Sequence, residues 1–423
     1  MLARPSCVLR AVSSGRRYYS EVSSVPKYHR KVRAIPFAFS QDAAVTHVGV
    51  HVSSALLLPS EDDAYSPAAN FFSSFLAKHL PSTGFKTLQP DRIQAVYFPA
   101  WIVDAEVEAK ACFDEDSEDF QNSLVFCRNS YLPGSEMDLA RVPLLDRSVD
   151  IEVARPFSDH LLHQHGSEVV CLPYKITPLD IIEKARKMSF KQATIDDDIR
   201  FDPRSLKCDF LAAYPVLIPI YVAQYIPPEP YFPLTVIIEA HSKPGRHYLH
   251  VVTSLNKSAN FLQDLQDEGE DYVRHGKDSS PIDVCITPTR SGMYASDELC
   301  SWLREKMGER DTPVSLVSEQ AIDMNDPRVR PWTSKEVEPV RKWLKLGERI
   351  SDMKDKLKFI SSIDPNVKVI EFPPRLGSQD RLVSGLEGFF KAEAEKLQKL
   401  EEIRLAEAPE WWRRWKASQT PKA

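Results

Sequence analysis

Residues Asp209–Glu229 read DFLAAYPVLIPIYVAQYIPPE, and between the two acids lie 19 residues without a formal charge. A helix that crosses a bilayer needs about 20 predominantly apolar residues, so the segment is either a membrane span or the interior of a fold. Spanning helices tolerate proline where neighbours satisfy the freed backbone groups. In a sheet, proline marks the start, an edge or the end of a strand. Which applies to Pro215, Pro219, Pro227 and Pro228 depends on whether the chain repeats the pattern elsewhere.

A counterpart occurs at Val96–Ala111, VYFPAWIVDAEVEAKA. It aligns Pro99 with Pro219, Trp101 with Tyr221 and Asp104 with Gln224, and a second frame, Pro99 with Pro215, is also open. From Trp101 onward, Trp101, Val103, Ala105, Val107 and Ala109 alternate with Asp104, Glu106, Glu108 and Lys110. Period two is the mark of a half-buried strand, and its polar face reads as a solvated or salt-bridged row. The sister segment 209–229 then reads as a strand covered on both faces.

The echo extends upstream. RAIPFAFSQDAAV (Arg33–Val45) is matched by VCLPYKITPLDII (Val170–Ile182), which places Ser40 and Thr177 where a helix N-cap belongs and Pro178 just inside the second helix. Downstream, PLTVIIEAH (Pro233–His241) and RHYLHVVTS (Arg246–Ser254) flank Ser242–Gly245, SKPG, as a hairpin. The expected architecture is α+β: two related strand-helix-strand units with an antiparallel sheet over 30–254, a linker with a small strand-helix segment over 255–330, a helical hairpin over 331–410 and a tail over 411–423. In the hairpin, Trp343, Leu344, Leu346, Ile350, Met353 and Leu357 form one apolar stripe, and Leu382, Leu386, Phe389, Phe390, Leu397, Leu400 and Ile403 form the other.

The first 19 residues contain Arg4, Arg10, Arg16 and Arg17, several serines and no acid, the composition of a mitochondrial transit peptide. Arg17-Tyr18-Tyr19-Ser20 resembles the pattern cut by the mitochondrial processing peptidase, with cleavage expected between Tyr19 and Ser20. Losing four arginines and no acid takes the net charge from −6 to −10. An acidic matrix protein is a poor general binder of nucleic acid, so no nucleic-acid partner is expected. The expected partners are other mitochondrial proteins or the inner membrane surface, and no substrate class is readable.

Cys112, Cys127, Cys171, Cys208, Cys285 and Cys300 lack zinc-ribbon or thioredoxin-type spacing and read as reduced, buried thiols. The chain has 14 glycines but no dinucleotide-binding, Walker or nucleophile-elbow arrangement, and no HExxH. Asp159, His160, His163 and His165 in DHLLHQHG form a metal-ligand candidate, since imidazoles with a carboxylate suit zinc or iron. His47 and His51 share one face of the first helix as a core or edge pair, and His241, His247 and His250 read as surface residues beside the hairpin turn. At the C-terminus Trp411, Trp412, Arg413, Arg414 and Trp415 form an aromatic and basic cluster of the kind found at interfaces and lipid headgroups.

Taken in order, AIPFAFSQDAA, VYFPAWIVDAEVEAKA, LAAYPVLIPIYVAQYI and VIIEAHSKPG resemble the module that follows the zinc ribbon in bacterial zinc-ribbon membrane proteins labelled after the primosomal replication factor. The resemblance covers about Arg33–Val252, lacks the zinc-ribbon cysteines, and implies membrane association without naming a chemistry. The resulting expectation is a non-enzymatic assembly, scaffold or membrane-peripheral factor of mitochondria with no cofactor. The alternative is a metal-dependent enzyme using Asp159–His165.

Overall fold

The structure, a computed structural model, describes residues 28–55, 67–80, 84–112, 120–135, 149–187, 194–196, 199–226, 234–242, 247–251, 273–275, 283–288, 322–362 and 379–419. In chain order the elements are β1 (Arg33–Ala34), α1 (Gln41–Ala55), α2 (Pro67–His79), β2 (Arg92–Cys112), β3 (Gln121–Pro133), β4 (Arg155–Pro156), β5 (His163–Gln164), β6 (Ser167–Cys171) and α3 (Ile181–Ala185). They continue with β7 (Thr194–Asp196), β8 (Ile199–Tyr225), β9 (Leu234–Glu239), β10 (His247–Val251), β11 (Val273–His275), β12 (Asp283–Pro288), α4 (Ser334–Ser362), α5 (Gln379–Ala406) and α6 (Glu410–Gln419). The transit-peptide residues Arg17, Tyr19 and Ser20, the turn 243–246 and the helix expected near 296–307 lie outside the described residues.

The opening segment is a strand. β8 pairs antiparallel with β2 from Arg92↔Gln224 to Cys112↔Arg200, and the sheet runs β11-β10-β9-β8-β2-β3-β12. Alternate residues of β8 enter different cores. Phe210, Ala212, Tyr214, Val216, Ile218, Ile220 and Val222 face the layer that holds Trp332, Val337, Val340 and Trp343. Leu217, Tyr221, Ala223 and Tyr225 face α1 and the chain before it, while Leu211 and Ala213 face Val329. Among the described residues no helix is long and apolar enough to cross a membrane.

The prolines fit because of where the neighbouring strands change. A residue's N–H and C=O leave a strand on the same side, and the carbonyls of Pro99 and Pro219 accept from Gly134 and Ala240 on the outer edges. Their missing N–H groups therefore also face outward. On the outer edge of β2, β6 pairs as far as Tyr97 and β3 begins at Ala100. On the outer edge of β8, β1 pairs as far as Leu217 and β9 begins at Ile220. Each proline thus occupies the gap between two successive partners, where no acceptor awaits a donor. Pro215 occupies another such gap, between the Ala213↔Val329 bridge and β1.

Four hydrogen bonds of the first half have counterparts in the second. Ile35 N–H donates to Leu217 O (3.0 Å) and Leu172 N–H to Tyr97 O (3.1 Å); Ala38 N–H donates to Ala240 O (2.7 Å) and Lys175 N–H to Gly134 O (2.8 Å). Gly134 N–H donates to Pro99 O (2.8 Å) and Ala240 N–H to Pro219 O (2.9 Å). The Trp101 indole donates to Ile176 O (2.7 Å) and the Tyr221 hydroxyl to Phe39 O (2.6 Å). All four pairs follow the frame that aligns Pro99 with Pro219. Gly134 departs from Ala240 because a Cβ there would meet Pro99 O and the Tyr174 ring at 2.9 Å.

Two expectations are corrected. The sheet is mixed, because β1 runs parallel to β8 and β6 parallel to β2. Among the described residues the half beginning at Val170 has only the five-residue α3, which no side chain caps at Asp180, and the Thr177 hydroxyl accepts from Leu179 N–H (3.3 Å). Its sequence carries Arg186 and Lys187 just after Ala185, with no apolar stripe to bury. The first half has two helices, α1 and α2. One short strand, β11, falls inside the stretch read as a linker and extends the β10 edge.

The matched side-chain bonds predict similar costs. Tyr221→Phe strands the buried Phe39 carbonyl, and the expected loss in a urea titration is about 1–2 kcal/mol. Trp101→Phe is expected to lose at least as much, and a neutral outcome for both would contradict the proposed anchoring.

Candidate functional site

The most unusual chemistry in the described residues lies where β2, β3 and α4 meet. Asp104 and Glu106, read from the sequence as part of a solvated or salt-bridged row, are 0% and 5% exposed. Even-numbered residues of β2 such as Phe98, Ala100 and Ile102 face the layer that contains Val337, Val340 and Trp343 of α4, so the row passes beneath that helix. Glu108, paired with Lys207 at 3.1 Å, and Lys110 keep to the surface, whereas Asp104 and Glu106 meet the salt-bridged reading but not the solvated one.

Asp104 lies at a bulge. Val103 pairs with Ser130 and Ala105 with Cys127, so two residues, Arg128 and Asn129, oppose Asp104 alone. Asn129 takes up the extra length with a positive φ of 56°, a conformation asparagine tolerates better than most side chains. Its N–H donates to Asp104 Oδ1 at 2.6 Å, and its Oδ1 accepts from Arg341 Nη2 at 2.8 Å. Arg341 Nε lies 3.8 Å from Asp104 Oδ2, and the buried Tyr214 hydroxyl also faces this carboxyl. Burial pushes the Asp104 carboxyl above its usual range, against the pull of Arg341 and the Asn129 N–H.

One turn of chemistry further on, Glu106 forms an ion pair with Arg404 of α5. Burial raises its carboxyl as well, with Arg404 opposing. The Arg404 guanidinium stacks 4.2 Å from the centre of the Trp343 ring, whose indole donates to Arg404 O at 3.0 Å. Gly347 is needed beneath it, since a Cβ would meet the guanidinium at 2.6 Å. Arg128 and Glu348 (3.4 Å) add a third ion pair between the sheet and the covering helices.

The outward side of α4 carries a cleft of about 400 Å³ lined by Glu338, Arg341, Lys342, Lys345, Leu346 and Arg349. Arg341 thus belongs both to the cleft and to the buried carboxylate. Lys342 reaches Glu407 at 2.6 Å.

The C-terminal cluster is divided by the fold. Trp411 and Trp412 pack on the core, 5.5 and 6.1 Å from the Phe210 ring, with the Trp412 indole donating to Asp209 O at 3.1 Å. Trp415 is half-buried beneath the Arg328 guanidinium at 5.2 Å. Arg413 and Arg414 are exposed.

The Asp159–His165 stretch is a surface turn. Asp159, His160, His163 and His165 are all exposed, and His165 turns through φ 50° with Nε2 3.1 Å from Phe37 O. Gln164 between them bonds Phe37 N–H and the Tyr97 hydroxyl, which fastens the turn to the fold. Among the described residues no three His, Cys, Asp or Glu side chains are grouped to hold a metal. The reading of His241 and His247 as surface residues is corrected: the His241 side chain is buried with Nε2 3.2 Å from Glu239 Oε2, and His247 is 3% exposed, with its ring 5.7 and 4.7 Å from those of His47 and His51. His247 faces α1 because it pairs with the core residue Ile238. Burial raises the thiols of Cys171 to about 12 and Cys208 to about 11, so neither is an activated nucleophile at neutral pH.

Compared with protein families, with curated proteins and with solved structures, the chain matches none.

Two outcomes follow for the seam. A carboxyl whose folded pKa is raised stabilises the fold below the ordinary carboxylate value, near pH 4, and that stability is lost as pH rises through the folded value. Asp104→Asn removes the titration, so its stability relative to the unmodified chain should improve from about pH 4 toward neutrality, and a constant difference would contradict the raised value. Arg341→Leu at neutral pH leaves a buried charge uncompensated and should cost about 3 kcal/mol or more in denaturant titration. Adding Asp104→Asn should recover part of that cost.

Proposed function

We propose that the protein is a mitochondrial, non-enzymatic assembly or scaffold factor working in the matrix or at the matrix face of the inner membrane, built on two related α+β units. The basic, acid-free leader with its Arg17–Ser20 pattern supports the address. The four matched hydrogen bonds, and the common frame they share, support the relatedness of the units.

The observation that carries the scaffold reading is the use made of the buried charges. Asp104 and Glu106 are each committed to an arginine on a covering helix, Arg341 or Arg404, and so fasten the C-terminal helices across the sheet. Buried ion pairs contribute little net stability but specify one arrangement over others, which suits a rigid platform more than a turnover site. Lys342–Glu407 and Lys354–Glu401 hold α4 against α5 as an antiparallel pair. The tail's contribution to partners falls to Arg413, Arg414 and the open edge of Trp415, since Trp411 and Trp412 are engaged inward.

Native separation of solubilised mitochondria tests this. The chain is expected at a mass well above a single copy, released from membranes by carbonate, with Ser20 as its first residue. Migration as a single free chain, or retention as an integral membrane protein, would overturn the reading.

A further inference from the structure

The chain is acidic overall, at −6, yet four of the six described residues that line the α4 cleft are cationic. Arg341, Lys342, Lys345 and Arg349 recur at helical spacing along one stripe, so they occupy consecutive turns about 5–6 Å apart. From Arg341 to Arg349 the row spans about 12 Å at 1.5 Å per residue. Glu338 closes one end of the cleft, and Leu346 gives its floor an apolar patch.

The charges are not equivalent. Arg341 is held inward by Asn129 and Asp104, and Lys342 is partly neutralised by Glu407. Lys345 and Arg349 have no ion-pair partner among the described residues, and both are exposed. Three other cations of the helical region are paired, Lys354 with Glu401, Lys396 with Glu393 and Arg414 with Glu410. A concave wall lined by one sign of charge concentrates ligands of the opposite sign.

We propose that this cleft is a binding site for a ligand carrying two or more phosphates. Lys345 and Arg349 supply the charge, and Arg349 adds the planar donor fork that pairs with phosphate oxygens. Arg341 forms the inner wall and is kept in place by the Asn129 bulge. A single phosphate reaches one turn of the row, whereas a diphosphate or a two-phosphate lipid headgroup engages successive turns. Leu346 receives apolar material beside the phosphates. The proposal goes beyond the scaffold reading and rests on it only for the lipid source.

Calorimetric titration of the full mature chain with inorganic pyrophosphate, and co-sedimentation with phosphatidylcholine vesicles with and without cardiolipin, test the two sources. One pyrophosphate per chain is expected, weakened about tenfold or more in Lys345→Gln/Arg349→Gln, the scale of one lost charge-assisted contact. Both residues are exposed, so the variant should melt at the unchanged temperature, and Lys396→Gln/Lys399→Gln serves as a control of equal charge loss. Cardiolipin-dependent sedimentation that the cleft variant loses identifies the lipid source; pyrophosphate binding without sedimentation identifies a soluble one. The proposal is overturned if neither probe binds, or if the control variant loses as much as the cleft variant. Such a failure leaves the native-mass test untouched, and a chain that migrates alone can still bind pyrophosphate.

Discussion

The structure depends on one antiparallel contact, the pairing of β2 with β8 along nearly the whole length of both. A long two-stranded ribbon is unstable unless both faces and both edges are covered. Here the edges are covered piecewise, by β6 and then β3 on one side, and by β1 and then β9 on the other. Proline is admitted into the centre of the sheet only because the joints between those pieces coincide with Pro99 and Pro219. The lead-in strand of each half lies on the long strand of the other, so neither half can complete its core alone. That interlock accounts for a single continuous fold over a segment whose sequence reads as two units.

The faces are completed by two different devices. Toward α1 the covering is apolar and aromatic, with Phe37 and Phe39 packed against Tyr221. Toward α4 the covering is apolar around Trp343 but becomes ionic where β2 carries Asp104 and Glu106. Carboxylates in that position demand cations from whatever covers them. Arg341 and Arg404 arrive from helices far along the chain, which ties the C-terminal region to β2.

Much of this was legible in the sequence, for definable reasons. Long elements repeat their pattern many times, so β2, α4 and α5 could be placed from periodicity, and the covered strand at 210–225 followed from its likeness to β2 together with its lack of any charge. The two parallel pairings are made by the two-residue β1 and the five-residue β6, too short to show a period or a direction, so the mixed sheet was not readable. The acidic row of β2 misled because alternation reports two faces but not what lies over the second. A solvated row and a row beneath an arginine-bearing helix have the same pattern; the clue available was Arg341 and Arg404 on the inner stripes of otherwise apolar helix faces. Thr177 misled differently, since a cap residue starts a helix but only a buried stripe sustains one. Of the site residues named from sequence, Trp411 and Trp412 lie partly buried against the core, and Asp159, His160, His163 and His165 on a turn whose anchoring residue is Gln164.

Hydrogen exchange of the full chain, read by fragment, tests the central pairing most directly. If β2 and β8 are the shared centre, amides across 95–105 and 211–223 exchange last, at one common rate, in the absence of any lipid or detergent. Fast exchange across 211–223, or protection there that appears only in lipid and is independent of 95–105, would contradict the account.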